Sequence, residues 1–337
     1  MATIIASVVI FLLLVLIHEF GHFIVAKLCG VTVHEFAVGM GPVIFKKEYK
    51  GTVYSLRCVP IGGFCSLEGE DEESDDEGAF GNKSPLKRIA ILLAGALMNI
   101  FLGFVLMTGF IFSQTDAMIA VPVIDSVQQQ SAAESAGLLS GDKIVRINGE
   151  KIQTQSELKF ELSRYKGGSI KIDYNRDGEL KSVDLTPKQG EDGAYYIGFV
   201  AKAEPLTFKS KLYHSFWHTA FYGKAILVSL WDLVTGSIGV ENMSGPVGIT
   251  SAITQAASVG LDSLVFLFIV ITVNLGVFNL LPVPALDGGR LLFFLIEFLR
   301  GKPIDPKYES YVHFAGLCVL LLIMLLVSVK DVISLIF

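Results

Sequence analysis

Residues 8–22 read VVIFLLLVLIHEFGH, a long apolar run that ends in a group of polar residues. Its first part, residues 8–17, is wholly apolar, as expected of a helix that crosses a bilayer. Its end is the HExxH pattern His18-Glu19-Phe20-Gly21-His22. On a helix, positions i and i+4 share one face, so both imidazoles can bind one zinc ion while Glu19 acts as general base. The alternative is a satisfied polar cluster without a metal, although polar groups inside a span are expensive.

The chain around this stretch has the composition of a membrane protein. Of its 337 residues 52% are apolar and 18% charged, and the mean hydropathy is +0.56. The net charge of −6 argues against nucleic-acid binding. A span needs roughly 20 apolar residues, and the segments that meet or approach this length are 2–26, 89–112, 264–281 and 314–337. The first lacks a positive n-region and a small-residue cleavage pattern, so it is predicted to be a retained anchor.

The distribution of lysine and arginine predicts the orientation. Only the short loops count for this rule, and among them segments 27–88 and 290–307 carry these residues, so both should be cytoplasmic. Both termini should then lie outside, together with the long segment between the second and third spans. The acidic run at residues 70–77 contributes little to this rule and is interpreted as a solvated loop.

Residues 116–204 are predicted to form a small α+β domain inserted between the second and third spans. Asn148-Gly149 and Asp177-Gly178 are hairpin turn signals within it. Residues 136–149, AGLLSGDKIVRING, resemble the AGL-x-x-GD-x-I-x-x-ING core of PDZ domains. The resemblance implies a groove that binds a peptide by strand addition. The alternative is a PDZ fold that serves as a spacer without a ligand.

Residues 33–66 predict a β-hairpin, because glycines are mixed there with alternating apolar residues, as in residues 53–59. Non-helical backbone at membrane depth is tolerated only where protein or a wet cavity satisfies it. A hairpin that dips into the bilayer would therefore mark a water-accessible cavity. A plain cytoplasmic hairpin is the alternative.

Residues 205–260 are predicted to contain an amphipathic helix at 208–234, followed by a linker. Apolar residues recur there at four-residue steps with lysines and histidines between them, which is typical of a helix on the membrane surface. A fifth span is the alternative. It would reverse the direction of the third span and separate Asp287 from His18 and His22.

A catalytic zinc usually has three protein ligands and one open position, so the HExxH pair needs a partner. The four cysteines show no CxxC pairing. Asp287 is the better candidate, since its carboxylate follows two prolines at the end of the third span, in residues 279–289, NLLPVPALDGG. Its alternative role is to cap a short helix at 289–299. The remaining histidines lie on the hairpin, the amphipathic helix and the last span and are poor candidates: His34, His214, His218 and His313.

Together these motifs resemble the site-2 protease family, in particular its bacterial PDZ-containing branch of the regulator-of-sigma-factor-release type. GMGP at residues 39–42 and SGPVGI at 244–249 are similar to further stretches of that branch. The resemblance implies Zn²⁺ on His18, His22 and Asp287, with Glu19 catalytic. It also implies that Asn279 helps to hold substrate, and that a membrane-dipping loop offers a strand edge to the substrate at Gly62, Gly63 and Phe64.

The expected fold class is therefore a polytopic α-helical membrane protein with four transmembrane helices, a membrane-associated β-hairpin and one inserted PDZ-like α+β domain. Its expected parts are an N-terminal membrane half (1–115), the PDZ-like domain (116–204), the surface helix and linker (205–260) and a C-terminal membrane half (261–337). The termini and the PDZ-like domain are predicted to lie outside a bacterial inner membrane.

The expected activity is intramembrane zinc-dependent hydrolysis of transmembrane segments in single-pass membrane proteins, such as anti-sigma factors, or of signal-peptide remnants. The partners are then those substrates and the lipid bilayer, with no nucleic acid. One alternative is a catalytically inactive scaffold that binds partners through the PDZ-like domain, which the intact Glu19 disfavours. A zinc site in a soluble domain and a zinc transporter are less consistent with a single polar cluster inside an apolar run.

Overall fold

A computed structural model describes residues 2–70, 74–114, 118–191, 193–239, 241, 243–302 and 304–336. The first part of the chain contains α1 (Ala2–Cys29), β1 (Val33–Tyr49), β2 (Thr52–Leu67), a 3-10 turn (Phe80–Asn82) and α2 (Pro85–Ser113). The middle contains β3 (Met118–Val127), α3 (Ala132–Ser135), β4 (Lys143–Ile147), β5 (Glu150–Lys151), α4 (Gln155–Ser163), β6 (Ile170–Arg176), β7 (Glu179–Leu185), β8 (Lys188–Gln189), β9 (Tyr195–Tyr196) and β10 (Phe199–Pro205). The last part contains α5 (Phe208–Val234), α6 (Pro246–Val259), α7 (Leu261–Leu280), α8 (Asp287–Arg300) and α9 (Pro306–Ile336).

The chain divides into two compact units. Unit 1 comprises Met1–Leu106 and Ile226–Phe337, and unit 2 comprises Met107–Ala225. The predicted boundary at 115/116 falls on residues outside the described part of the chain. The proposed division into 1–115, 116–204, 205–260 and 261–337 therefore stays a prediction.

Four helices among the described residues are long and apolar enough to cross a bilayer. They are Val8–Cys29, Pro85–Ser113, Leu261–Leu280 and Lys307–Ser334. They coincide with the four predicted spans, and α5 is not among them. The predicted linker after α5 differs from the structure, because it contains the regular helix α6. Ile253 of α6 is fully buried beside Ile10 and Leu14 of α1, so this helix is held by tertiary packing.

The predicted hairpin is a long β1–β2 ribbon that folds back on itself. Residues 35–38 of β1 pair antiparallel with residues 63–66 of β2, and they also pair with residues 53–56 of β2 in a register that runs in the same direction on both segments. Glycine permits the bend, since Gly39 has φ 84° and a Cβ there would lie 2.6 Å from the Val59 carbonyl oxygen. Residues 63–66 therefore form an edge strand whose one described strand partner is β1.

Unit 2 contains a sheet with strand order β10-β3-β4-β6-β7, and β5 pairs with β4. Both predicted hairpin turns are present, with positive φ at Asn148-Gly149 and Asp177-Gly178. Thr154 and Glu157 form a capping box at the start of α4. The edge strand β10 was not predicted. Its partner is β3, which lies about 70 residues earlier in the chain, so no local pattern indicates the pairing.

Asp142, within the PDZ-like motif, closes the turn before β4. It is 1% exposed and accepts hydrogen bonds from Leu139 N at 2.8 Å and from Arg176 Nε and Nη2, both at 2.7 Å. Although burial raises the pKa of Asp142, these hydrogen bonds hold it below its ordinary value. The ionised carboxylate therefore contributes to the fold of unit 2.

The first part of α5 packs within unit 2. Tyr213 Oη lies 2.9 Å from Gln153 Oε1, and Lys224 Nζ donates to Glu150 Oε2 at 2.6 Å. His214 is buried on this helix, and burial lowers the pKa of nearby His218 to about 4. Burial lowers the pKa of His214 as well, so both histidines are neutral at neutral pH.

Candidate metal centre

Three side chains from distant parts of unit 1 converge on one point. His18 and His22 lie one turn apart on α1, and Asp287 is the first residue of α8. The two Nε2 atoms are 3.2 Å apart, and Asp287 Oδ2 lies 3.1 Å from His18 Nε2 and 3.3 Å from His22 Nε2. The donor atoms of these three residues all lie within 4.8 Å of one another. In the described part of the chain, this is the one group of at least three histidine, cysteine or acidic side chains placed so that they could hold a metal ion.

The geometry of this cluster fits a zinc ion better than a hydrogen-bonded network. Asp287 Oδ2 is buried and has no hydrogen-bond partner, despite the two nearby nitrogens. Zinc binds imidazole nitrogens and carboxylate oxygens at about 2.0–2.2 Å, so tetrahedral ligand atoms lie about 3.3 Å apart. The three measured separations are close to that value. The donor set is also one that zinc accepts in catalytic sites, with a fourth position left for water.

A backbone contact orients His22. Its Nδ1 lies 2.8 Å from the carbonyl oxygen of Ile91 on α2, which can accept only from a protonated nitrogen. A proton is therefore on Nδ1, and Nε2 is the ring nitrogen that faces the cluster. Such a contact is the usual way in which a protein fixes the tautomer of a metal-binding histidine.

Asn279, near the end of α7, has a corresponding position beside His18. Its amide Nδ2 lies 3.4 Å from His18 Nδ1. A histidine that binds metal through Nε2 carries its proton on Nδ1. If the Asn279 amide is turned by half a revolution, its oxygen takes the position of Nδ2 and can accept a hydrogen bond from that proton. The structure thus brings Asn279 to the His18 ring, and its predicted contact with substrate stays a prediction.

The turn between α7 and α8 presents Asp287. Ala285 has a positive φ of 74°, which is unusual for a residue with a side chain. Its N–H donates to His313 Nδ1 of α9 at 2.9 Å. Asp287 does not cap the helix as the alternative proposed, since the N-cap is Leu286 and makes no side-chain cap bond. By sequence, His313 is a poor candidate for a zinc ligand because of its place at the start of the last span. No sequence motif indicates its contact with a backbone N–H.

Glu19 and the three clustered side chains line a cavity of about 360 Å³. The end of β2 forms one wall through Phe64, Cys65, Ser66 and Leu67. A Cβ on Gly63 would lie 3.9 Å from Glu19 Cγ, so this strand passes close to the predicted base. Phe64 and Gly63 thus lie near the cluster, and their predicted contact with substrate stays a prediction. Gly62 lies farther along the strand, where a Cβ would contact Met40 at 3.4 Å. The remaining lining residues are Glu70, Phe80, Ile91 and Leu92.

Comparisons with known proteins show to which proteins the chain is similar. The model of Peptidase family M50 matches residues 6–323. A protein of Shouchella clausii named Zinc metalloprotease RasP is 31% identical over 98% of this chain and 99% of its own length. The Regulator of sigma-W protease RasP of Bacillus subtilis is 30% identical over 98% of each chain. Among solved structures, the PDZ domain of an SdrC-like protein from Listeria monocytogenes is 22% identical, covers 26% of this chain and 90% of its own length, and has a TM-score of 0.22.

Proposed function

We propose that this protein cleaves transmembrane segments of single-pass membrane proteins. The premise is that the chain belongs to peptidase family M50 and is thus a zinc metalloprotease of the site-2 type. The observation that supports this most is the cluster of His18, His22 and Asp287 among helices that are apolar enough to span a bilayer. By analogy with the sigma-W regulator named above, the proposed substrates are anti-sigma factors, with signal-peptide remnants as a further class. The proposal includes a bacterial inner-membrane location.

In this proposal His18, His22 and Asp287 hold zinc, which when bound acts as a Lewis acid at the scissile carbonyl and at the attacking water. Glu19 lies on the same helix between the two histidines and lines the same cavity. Its carboxylate accepts a proton from the attacking water and returns it to the leaving amine. Ile91 O and Asn279 keep the two imidazoles in the tautomer that leaves Nε2 unprotonated.

The substrate must also expose a peptide bond, because a transmembrane helix hides its carbonyls in its own hydrogen bonds. The edge strand at residues 63–66 supports a role in this step, since its described strand pairing is to β1 alone. An unwound substrate segment that pairs with this edge would be held extended beside Glu19. We assign the contacts of this step to Gly62, Gly63, Phe64 and Asn279.

The orientation belongs to the proposal as well, with the PDZ-like domain and both termini outside the cell. Ser182 is exposed on β7 of unit 2 and offers a labelling position. A Ser182→Cys variant without the native cysteines should react with an impermeant thiol reagent in intact cells. Reaction only after the cells are permeabilised would show the opposite orientation.

The decisive test of the activity is Glu19→Gln. The substitution keeps the shape and hydrogen-bonding capacity but removes the proton acceptor, so cleavage of a transmembrane substrate should fall by about 10²–10⁴-fold. Folding should be retained because a carboxylate inside a span is itself expensive. Zinc content and thermal unfolding, measured on purified wild type and variant, should be equal.

Three outcomes would count against this mechanism. A variant that cleaves at the wild-type rate would show that another group is the base. A variant that loses zinc or unfolds would show that Glu19 is structural. A zinc-loaded wild type that cleaves no membrane substrate would favour the scaffold function instead.

A further inference from the structure

Helices α1 and α2 approach each other closely at two glycines. A Cβ on Gly21 of α1 would lie 2.4 Å from the Ala94 carbonyl oxygen, and a Cβ on Gly95 of α2 would lie 2.3 Å from His22 Nε2. The same Gly95 Cβ would lie 2.7 Å from His18 Cε1. Real Cβ atoms essentially never make contacts below 3.0 Å. The two histidine rings therefore occupy the space that a side chain at position 95 would need.

Gly95 also leaves a backbone acceptor open. Ile91 precedes it by one helical turn, so the Ile91 carbonyl is the regular helical acceptor for the Gly95 N–H. The same carbonyl accepts from His22 Nδ1 at 2.8 Å. Side chains on a helix lean toward the preceding turn, so a side chain at 95 would extend toward that carbonyl. The lack of a side chain at position 95 therefore leaves room for the His22 ring and leaves the Ile91 carbonyl free to accept from His22 Nδ1.

We propose that Gly95 is a positioning residue for the zinc site, acting through the space that it leaves for His18 and His22. This inference rests on the proposed function, in which those histidines and Asp287 hold zinc. Alanine favours a helix more than glycine does, so helix propensity alone predicts that Gly95→Ala stabilises the protein. A loss of stability or of zinc affinity would therefore indicate a steric conflict with the rings of His18 and His22.

The first experiment measures metal binding by the full-length chain in detergent. Gly95→Ala should weaken zinc about 10–100-fold in chelator competition, the range found when support of a ligand is removed. It should also change the visible absorption of the cobalt-substituted protein, which reports the coordination geometry. Wild-type zinc affinity with an unchanged cobalt spectrum would overturn the proposal.

The chain offers two matched glycine controls on α2. A Cβ at Gly103 would lie 2.4 Å from Val273 Cγ2, a comparable conflict that involves α7 rather than the ligands. A Cβ at Gly109 would meet nothing within 4 Å. Both alanine variants should bind zinc as the wild type does. A loss of zinc affinity in Gly103→Ala equal to that in Gly95→Ala would assign the effect to general helix packing and overturn the proposal.

A second experiment covers the case in which Gly95→Ala is poorly folded. Thermal unfolding is measured in the presence of chelator for four proteins that form a double-mutant cycle. They are the wild type, Gly95→Ala, the variant that lacks both rings (His18→Ala with His22→Ala), and the combination of all three changes. Gly95→Ala should lower Tm when the rings are present and leave it unchanged or raised when they are absent. An equal loss in both backgrounds would refute the steric role. The cycle needs no metal, so a wild type that binds no zinc would overturn the proposed function while the cycle still decides whether Gly95 makes room for the rings.

Discussion

Replacing Asn279 by alanine separates two roles for this residue, support of His18 and contact with substrate. The contact to His18 Nδ1 is 3.4 Å, longer than the 2.9–3.0 Å that is usual for such hydrogen bonds. Loss of a group that orients a metal ligand typically weakens metal binding by about 10–100-fold. Because the contact is long, we expect Asn279→Ala to lower zinc affinity by about tenfold, the lower end of this range, which corresponds to about 1.4 kcal/mol.

The assay is zinc affinity by chelator competition, together with kcat and KM on a transmembrane substrate at saturating zinc. The matched control is Asn274→Ala on the same helix, since Asn274 Oδ1 is buried without a hydrogen-bond partner. The control should bind zinc as the wild type does. If Asn279→Ala also binds zinc normally but has a raised KM, the residue contacts substrate and the reasoning from the His18 contact is refuted.

Two further predictions concern the turn before Asp287 and the acid stability of unit 2. His313→Ala removes the acceptor of the Ala285 N–H and should weaken zinc binding, because the positive φ at Ala285 costs about 1 kcal/mol that the fold must offset. A second change, Ala285→Gly, should restore part of the zinc affinity, and no restoration in chelator competition would contradict a backbone role. The depressed pKa of Asp142 means that its contribution is present above the ordinary aspartate pKa and is lost as pH falls through its folded value. Hydrogen exchange of β4 in the full chain should therefore accelerate relative to that of Asp142→Asn as pH falls below about 4, and equal profiles would contradict the role of the Asp142–Arg176 pair.

The features that the sequence alone predicted are those encoded by local spacing. Apolar runs of sufficient length predict the four long helices, and the i, i+4 spacing of His18 and His22 places both imidazoles on one face. Asn148-Gly149 and Asp177-Gly178 specify their turns because both positions require positive φ. Each of these patterns acts within a few residues, so no knowledge of distant contacts is needed.

The motif resemblance carried the prediction further, to the family and to roles for Asn279 and the β2 glycines, and the family is confirmed by the match over residues 6–323. The assignment of Asp287, Asn279 and the β2 glycines to zinc and substrate stays a set of predictions. The sequence showed which side chains are chemically suited to these roles. It did not contain the distances between them.

Those distances are decided by tertiary packing. Asp287 reaches the histidines because α8 starts at a turn whose Ala285 N–H is bonded by His313 of another helix. The rings fit because α2 presents Gly95 opposite them, and β2 forms an edge beside Glu19 because β1 pairs with it twice. A local pattern fixes which face of a helix a residue occupies. Which faces meet, and how closely, depends on the simultaneous fit of side chains from distant segments, because interiors are close-packed and admit few arrangements.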